Sequence, residues 1–179
     1  MKHIKFKTFV LAAIIALGLS ACTTTVEPLD PSINLNSFSN IVGIYAMTAF
    51  NTSVPTDLNN DGTASTNQMS ETPCFNGNTL AIFANNTFTA TSKGLDINMT
   101  ETTSTIECYT DPDITGTWAI VGNVLTLTYT DGGFPYTEAF VFSGNNTLTY
   151  TEEQGEVVGM TSANEPVYLT SKIDIVYKK

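Results

Sequence analysis

Three times in this chain Gly-Asn stands just before an apolar strand start: Gly77-Asn78-Thr79-Leu80, Gly122-Asn123-Val124-Leu125 and Gly144-Asn145-Asn146-Thr147-Leu148. Gly and Asn tolerate the positive φ that a tight turn demands. Between such turns the residues alternate. Leu125, Leu127 and Tyr129 oppose Thr126 and Thr128, and Leu148 and Tyr150 oppose Thr147, Thr149 and Thr151. Phe88 and Ala90 oppose Thr87, Thr89 and Thr91, while Ile173, Ile175 and Tyr177 oppose Asp174 and Val176. A period of two marks a half-buried strand, and no segment after Ile41 sustains a helical period. Strands are expected over 41–48, 79–84, 87–91, 116–121, 124–130, 136–142, 147–151 and 167–177. Asn85-Asn86 and Gly122-Asn123 read as two-residue hairpin turns. The fold class is all-β: an antiparallel up-and-down meander of about eight strands, one face wet and one dry, curled into a barrel or half-barrel. A β-sandwich is the alternative.

The amino-terminal stretch is of a different kind. Met1-Lys2-His3-Ile4-Lys5-Phe6-Lys7 is basic, and residues 8–18 are almost wholly apolar. That order is a secretory signal peptide, and the apolar run is too short to span a bilayer permanently. It ends in Leu19-Ser20-Ala21-Cys22, which resembles the lipobox of bacterial lipoproteins. The resemblance implies that the Cys22 thiol is diacylated, that the peptide is cut before it, and that the new amino terminus is acylated. The chain then divides into a signal peptide (1–21), a flexible tether (22–40) and a β domain (41–179). Pro28, Pro31 and small polar residues make the tether aperiodic. The expected location is the cell envelope, at the outer membrane on either face. The expected membrane partner is reached through acyl chains on Cys22, several of which give stable anchoring.

Composition narrows the chemistry. Loss of the signal removes Lys2, Lys5, Lys7 and His3, leaving Lys93, Lys172, Lys178 and Lys179 against 17 Asp and Glu, with no arginine. Such a surface repels phosphate backbones, so nucleic acid is excluded as a partner. Without His, Ser-His-Asp and Cys-His catalysis are excluded, and zinc is disfavoured. Paired carboxylates for glycoside hydrolysis, or oxygen-ligated calcium, are the chemistries that survive. Cys74 and Cys108, the two cysteines left beside Cys22, read as one disulfide in an exported chain, with two free thiols as the alternative.

Gly43-Ile44-Tyr45, then Asp57-Leu58-Asn59-Asn60-Asp61-Gly62-Thr63, Cys74, Asn85-Asn86-Thr87-Phe88, and Gly116-Thr117-Trp118 with Gly122-Asn123-Val124-Leu125-Thr126-Leu127 follow one another in order. Together they resemble the lipocalin-like lipoproteins of Bacteroidetes-type bacteria, over roughly 41–177. The resemblance implies a small up-and-down barrel. In lipocalins proper the first strand carries Gly-x-Trp; here Gly43-Ile44-Tyr45 stands there, so no ligand residue is transferred.

Four groups of side chains are candidates for function. Asp57, Asn59 and Asp61, alternating and followed by Gly62, begin as an EF-hand loop does. The Thr63 carbonyl would add an oxygen, Ser65 another, and Glu71 stands in for the missing bidentate Glu at the place held by Gln68. This set fits calcium; the alternative is a solvated Asn/Asp/Gly-rich loop. The stretch from Ile106 to Asp113 adds carboxylates near Cys108, most simply as a turn built on Asp111-Pro112. Trp118, Tyr45, Phe88 and Tyr129 are candidate walls for a small apolar ligand, or else ordinary barrel core. Glu138 shares parity with Tyr136, Phe140 and Phe142; Ala139 and Val141 share the other, and a solvated Glu138 is the favoured reading. Glu152, Glu153 and Glu156 read as a charged hairpin tip. The function expected from all this is binding of a small apolar ligand, with a pocketless envelope interaction role as the alternative and no enzymatic activity.

Overall fold

A computed structural model describes residues 40–99, 104–143 and 145–179. The signal peptide, Cys22 and the tether up to residue 39 lie outside the described residues. The described chain forms strands β1 (Gly43–Thr56), β2 (Ser65–Asn67), β3 (Thr79–Ile82), β4 (Thr87–Thr91), β5 (Lys93–Met99), β6 (Ser104–Thr110), β7 (Ile114–Val121), β8 (Val124–Asp131), β9 (Phe134–Ser143), β10 (Thr147–Met160) and β11 (Pro166–Lys178). One helical turn, α1 (Gln68–Glu71), and a 3-10 turn at Pro73–Phe75 interrupt the β pattern.

Antiparallel pairing runs in the order β11-β10-β9-β8-β7-β4-β3-β1, and β1 pairs back onto β11. Those eight strands close a barrel, so no edge is left unpaired around the wall. β2 adds to β1, and β5 with β6 makes a separate two-stranded hairpin inserted between β4 and β7.

The turns set the register. Gly122 takes φ +61° and lets β7 reverse into β8 with Val121 opposite Val124. Between β3 and β4 the loop is one residue longer than the Asn85-Asn86 pair suggests. Phe83 bonds to Thr87, and Asn86 at φ +63° ends a three-residue loop. Gly77-Asn78 is not a hairpin turn at all. Asn78 is buried and acts as a clamp: its amide donates to the Phe75 and Lys93 carbonyls at 2.9 Å each, and Lys93 N–H donates back to it at 2.7 Å.

Two further expectations change. The first strand extends to Thr56, because its second half pairs with β11 and β2. Glu152, Glu153 and Glu156 lie inside β10, where a bulge between Glu152 and Gly155 lets the strand continue; the hairpin end is the turn from Thr161 to Glu165.

The main core sits at one end, where the β3–β4, β7–β8 and β9–β10 turns gather. Ile41, Tyr45, Ile82, Trp118, Leu125 and Leu148 fill it. Tyr45 is fully buried and its hydroxyl donates to the Ile41 carbonyl at 2.8 Å. Lys179 crosses beneath, its ammonium 5.6 Å from the Tyr45 ring centre and donating to the Asn40 and Val42 carbonyls at 2.9 Å. Gly43 permits that crossing: a Cβ there would collide with the Lys179 side chain, and its φ of +150° disfavours other residues.

Candidate functional site

The opposite half of the barrel is hollow. A cavity of about 320 Å³ lies inside it, walled by Phe88 and Ala90 of β4, Leu127 and Tyr129 of β8, Tyr136, Glu138 and Phe140 of β9, Tyr150 of β10 and Tyr177 of β11. Gly94, Leu95 and Tyr109 of the β5–β6 hairpin also border it, beside the open end. Cys74 and Cys108 are disulfide-bonded and tie that hairpin to the 3-10 turn. Leu58, Cys74, Leu95, Ile97 and Val158 form a second small core under it.

Local sequence positions each wall residue. Alternation turns Phe88, Ala90, Leu127, Tyr129 and Tyr150 inward from their strands. The rings pack on each other. Tyr129 and Tyr136 stack at 5.5 Å, Phe88 meets Tyr129 edge-on at 6.2 Å, and Phe140 touches both Tyr150 and Tyr177.

Glu138 is the polar centre of the wall. The expectation of a solvated Glu138 is overturned by register: β8 and β9 pair Tyr129 with Tyr136 and Leu127 with Glu138, so the carboxylate faces in. The Tyr129 hydroxyl donates to Glu138 Oε1 at 2.7 Å. Burial pushes the Glu138 carboxyl above its usual range, and the Tyr129 hydrogen bond offsets part of that. The phenols of Tyr129, Tyr150 and Tyr177 are all pushed up, first by burial and then by the Glu138 charge, so all three stay neutral donors. Tyr150 donates to Glu152 at 3.2 Å, nearer the mouth.

Of the four aromatic residues anticipated as ligand walls, Phe88 and Tyr129 border the cavity, and Tyr45 and Trp118 do not. Tyr45 plugs the closed end. Trp118 is 5% exposed and caps the β3–β4 turn, its indole N–H donating to the Phe83 carbonyl at 2.9 Å. An indole needs one such partner when buried, and the closing turn supplies it.

The anticipated calcium loop closes on its own backbone. Asp57 accepts the N–H groups of Asp61 and Gly62 at 3.1 and 2.8 Å, Asn59 accepts Asp61 N–H at 3.0 Å, and Asp61 accepts Thr63 N–H at 2.8 Å. Glu71 does not reach toward Asp57 and Asp61. It is buried beneath, taking the Leu58 N–H at 3.0 Å. Among the described residues no three His, Cys, Asp or Glu side chains gather as metal ligands. The Asp111-Pro112-Asp113 stretch is the link from β6 to β7, with Asp111 N–H bonded to the Ser92 carbonyl at 2.9 Å and Asp113 accepting from the Thr91 hydroxyl at 3.0 Å.

Sequence reasoning missed Tyr136 and Tyr177 as site residues, and it weighed Glu138 as one but favoured the solvated reading. The signal for Glu138 was present. Gly132-Gly133, at φ +57° and +84°, is itself a two-residue hairpin loop. Its length fixes Asp131 opposite Phe134 and hence Glu138 on the face of Leu127.

A family model described as a lipocalin-like domain matches residues 41–150 of the chain. No curated protein and no solved structure matches it.

Proposed function

The chain belongs to the lipocalin-like domain family, a generally non-enzymatic one, and from that premise we propose that it is an envelope lipoprotein whose barrel binds one small apolar molecule. The observation that carries this reading is the cavity of about 320 Å³ with its wall of apolar and aromatic side chains. That volume is at the small end of the range for ligand sites. A pocketless interaction protein has no need of a hollow half-barrel, since a filled core is the more stable packing.

Binding is tested by calorimetric titration with octanol. A saturable one-to-one isotherm is expected, and it should vanish in Ala90→Phe, which fills the cavity from β4. A native protein that takes up neither octanol nor its amine analogue octylamine, or unchanged binding in the filled variant, contradicts the reading. The anchoring half rests on Leu19-Ser20-Ala21-Cys22. Cys22→Ser is expected to end incorporation of labelled fatty acid and release the protein from the membrane fraction. Incorporation that survives the substitution rules out Cys22 as the anchor.

A further inference from the structure

The cavity wall is not uniformly apolar, and its one interior charge has a half-empty set of partners. Glu138 Oε1 accepts from Tyr129 at 2.7 Å. No hydrogen bond among the described residues reaches Oε2. Among those residues the one fully buried side-chain oxygen without a partner is Asp96 Oδ1, so the Glu138 Oε2 opens onto the cavity rather than into protein. Its surroundings supply rings and no neutralising charge. Phe140, Tyr129, Tyr150 and Tyr177 gather around it, and burial together with the Tyr129 hydrogen bond accounts for its proton affinity without any lysine.

The rim has the same sign. Asp111, Asp131, Glu152 and Glu156 border the cavity together with a single cation, Lys93. The Lys93 ammonium lies against Gly77, where an added Cβ would stand 2.9 Å away. A rim with this excess of carboxylates over lysine focuses field lines that draw cations in and turn anions away.

We propose that the ligand class is a small organic cation: an apolar body carrying a protonated amine, whose head is taken by Glu138 among the rings of Tyr129, Tyr150 and Tyr177. This rests on the reading that the cavity binds a small apolar molecule, and it narrows that molecule's chemistry. A carboxylate ligand would set a second negative charge beside Glu138 within a wall of rings. A neutral ligand would cover Glu138 while leaving its charge unbalanced, a costly arrangement. An ammonium gains a charge-assisted hydrogen bond to Oε2 and the negative faces of the surrounding rings. At roughly 30 Å³ for each water-sized group, the cavity holds a body of about ten non-hydrogen atoms.

The test compares octylamine, octanol and octanoate by calorimetric titration at pH 7, on the native protein and on Glu138→Gln and Glu153→Gln. Octylamine is expected to bind about tenfold or more tightly than octanol, with octanoate weakest of the three. Glu138→Gln should remove the amine preference and leave octanol binding in place. Glu153→Gln, an equal loss of charge at an exposed position outside the cavity, should retain the preference. Equal affinity for octylamine and octanol in the native protein overturns this inference while the binding function stands. Failure of both to bind overturns the binding function itself.

Discussion

At Glu138 a carboxyl group is held in a wall of rings, and its titration is a direct consequence. Burial lifts its folded-state pKa above the ordinary value of 4.5, so the folded protein holds this proton more tightly than the unfolded chain does. By linkage, the group's contribution to stability is present in acid and is lost as pH rises from the unfolded value through the folded one. Above that window the charged carboxylate weakens the fold. Glu138→Gln keeps an acceptor for Tyr129 and removes the charge. Urea denaturation is therefore expected to show the variant more stable than the native protein at pH 7, with the gap closing below pH 4.5. A gap that does not change with pH contradicts the buried-charge account. The inward face of Glu138 was legible in the sequence only through Gly132-Gly133. Strand parity alone divides Tyr136, Phe140 and Phe142 from Ala139 and Val141 without saying which set is inside. Turn length decides, because one residue more would send every side chain of β9 to the other face.

The elements fall into two kinds. β3, β4 and β7 to β11 are carried by alternation and short turns, and the sequence placed each of them within a few residues except at the end of β10, which continues past the expected Thr151 to Met160. The β5–β6 hairpin was not legible. Its strand β5, Lys93–Met99, mixes a glycine, a carboxylate and an amide with Leu95 and Ile97, and only those two apolar side chains pack inward. The hairpin contributes no strand to the barrel; a disulfide and a small core hold it instead. Its pairing also sets Asp96 opposite Glu107, a like-charge pair that opposes association of the strands. The Cys74–Cys108 link, 34 residues apart in sequence, supplies constraint where apolar burial is thin. Replacing both cysteines by alanine is expected to lower stability by ~3–4 kcal/mol in the chain-entropy model. Hydrogen exchange should quicken first in β5 and β6, while the amides of β7 to β9 keep their protection. Equal loss of protection throughout would mean that the hairpin and barrel fold as one unit. The carboxylate loop teaches the converse lesson. Asp57, Asn59 and Asp61 alternate as metal ligands do, yet the same spacing lets them accept their own backbone N–H groups, and the sequence cannot separate the two uses.

Over the whole molecule, the barrel is asymmetric along its axis. One end is sealed by Tyr45, Trp118 and Lys179. The other is hollow and ringed by aromatics and carboxylates. Closure of eight strands was legible from the count of alternating segments. Which aromatics plug and which line was not, because parity assigns a side chain to the inside but not to a height along the axis. Tyr45 and Trp118 share the interior with Phe88 and Tyr129 and differ only in that height. The charge of −10 over the full chain fits this picture, since excess carboxylate at the mouth raises the local concentration of a cationic ligand. The central claim is that the hollow end is a ligand site. Native mass spectrometry of the protein purified from the cells that make it tests this most directly. The account predicts a one-to-one complex with a basic molecule of about ten non-hydrogen atoms, released on collisional activation and missing from Ala90→Phe. Native protein that carries no such molecule, and takes up neither octanol nor octylamine when these are added, would contradict it.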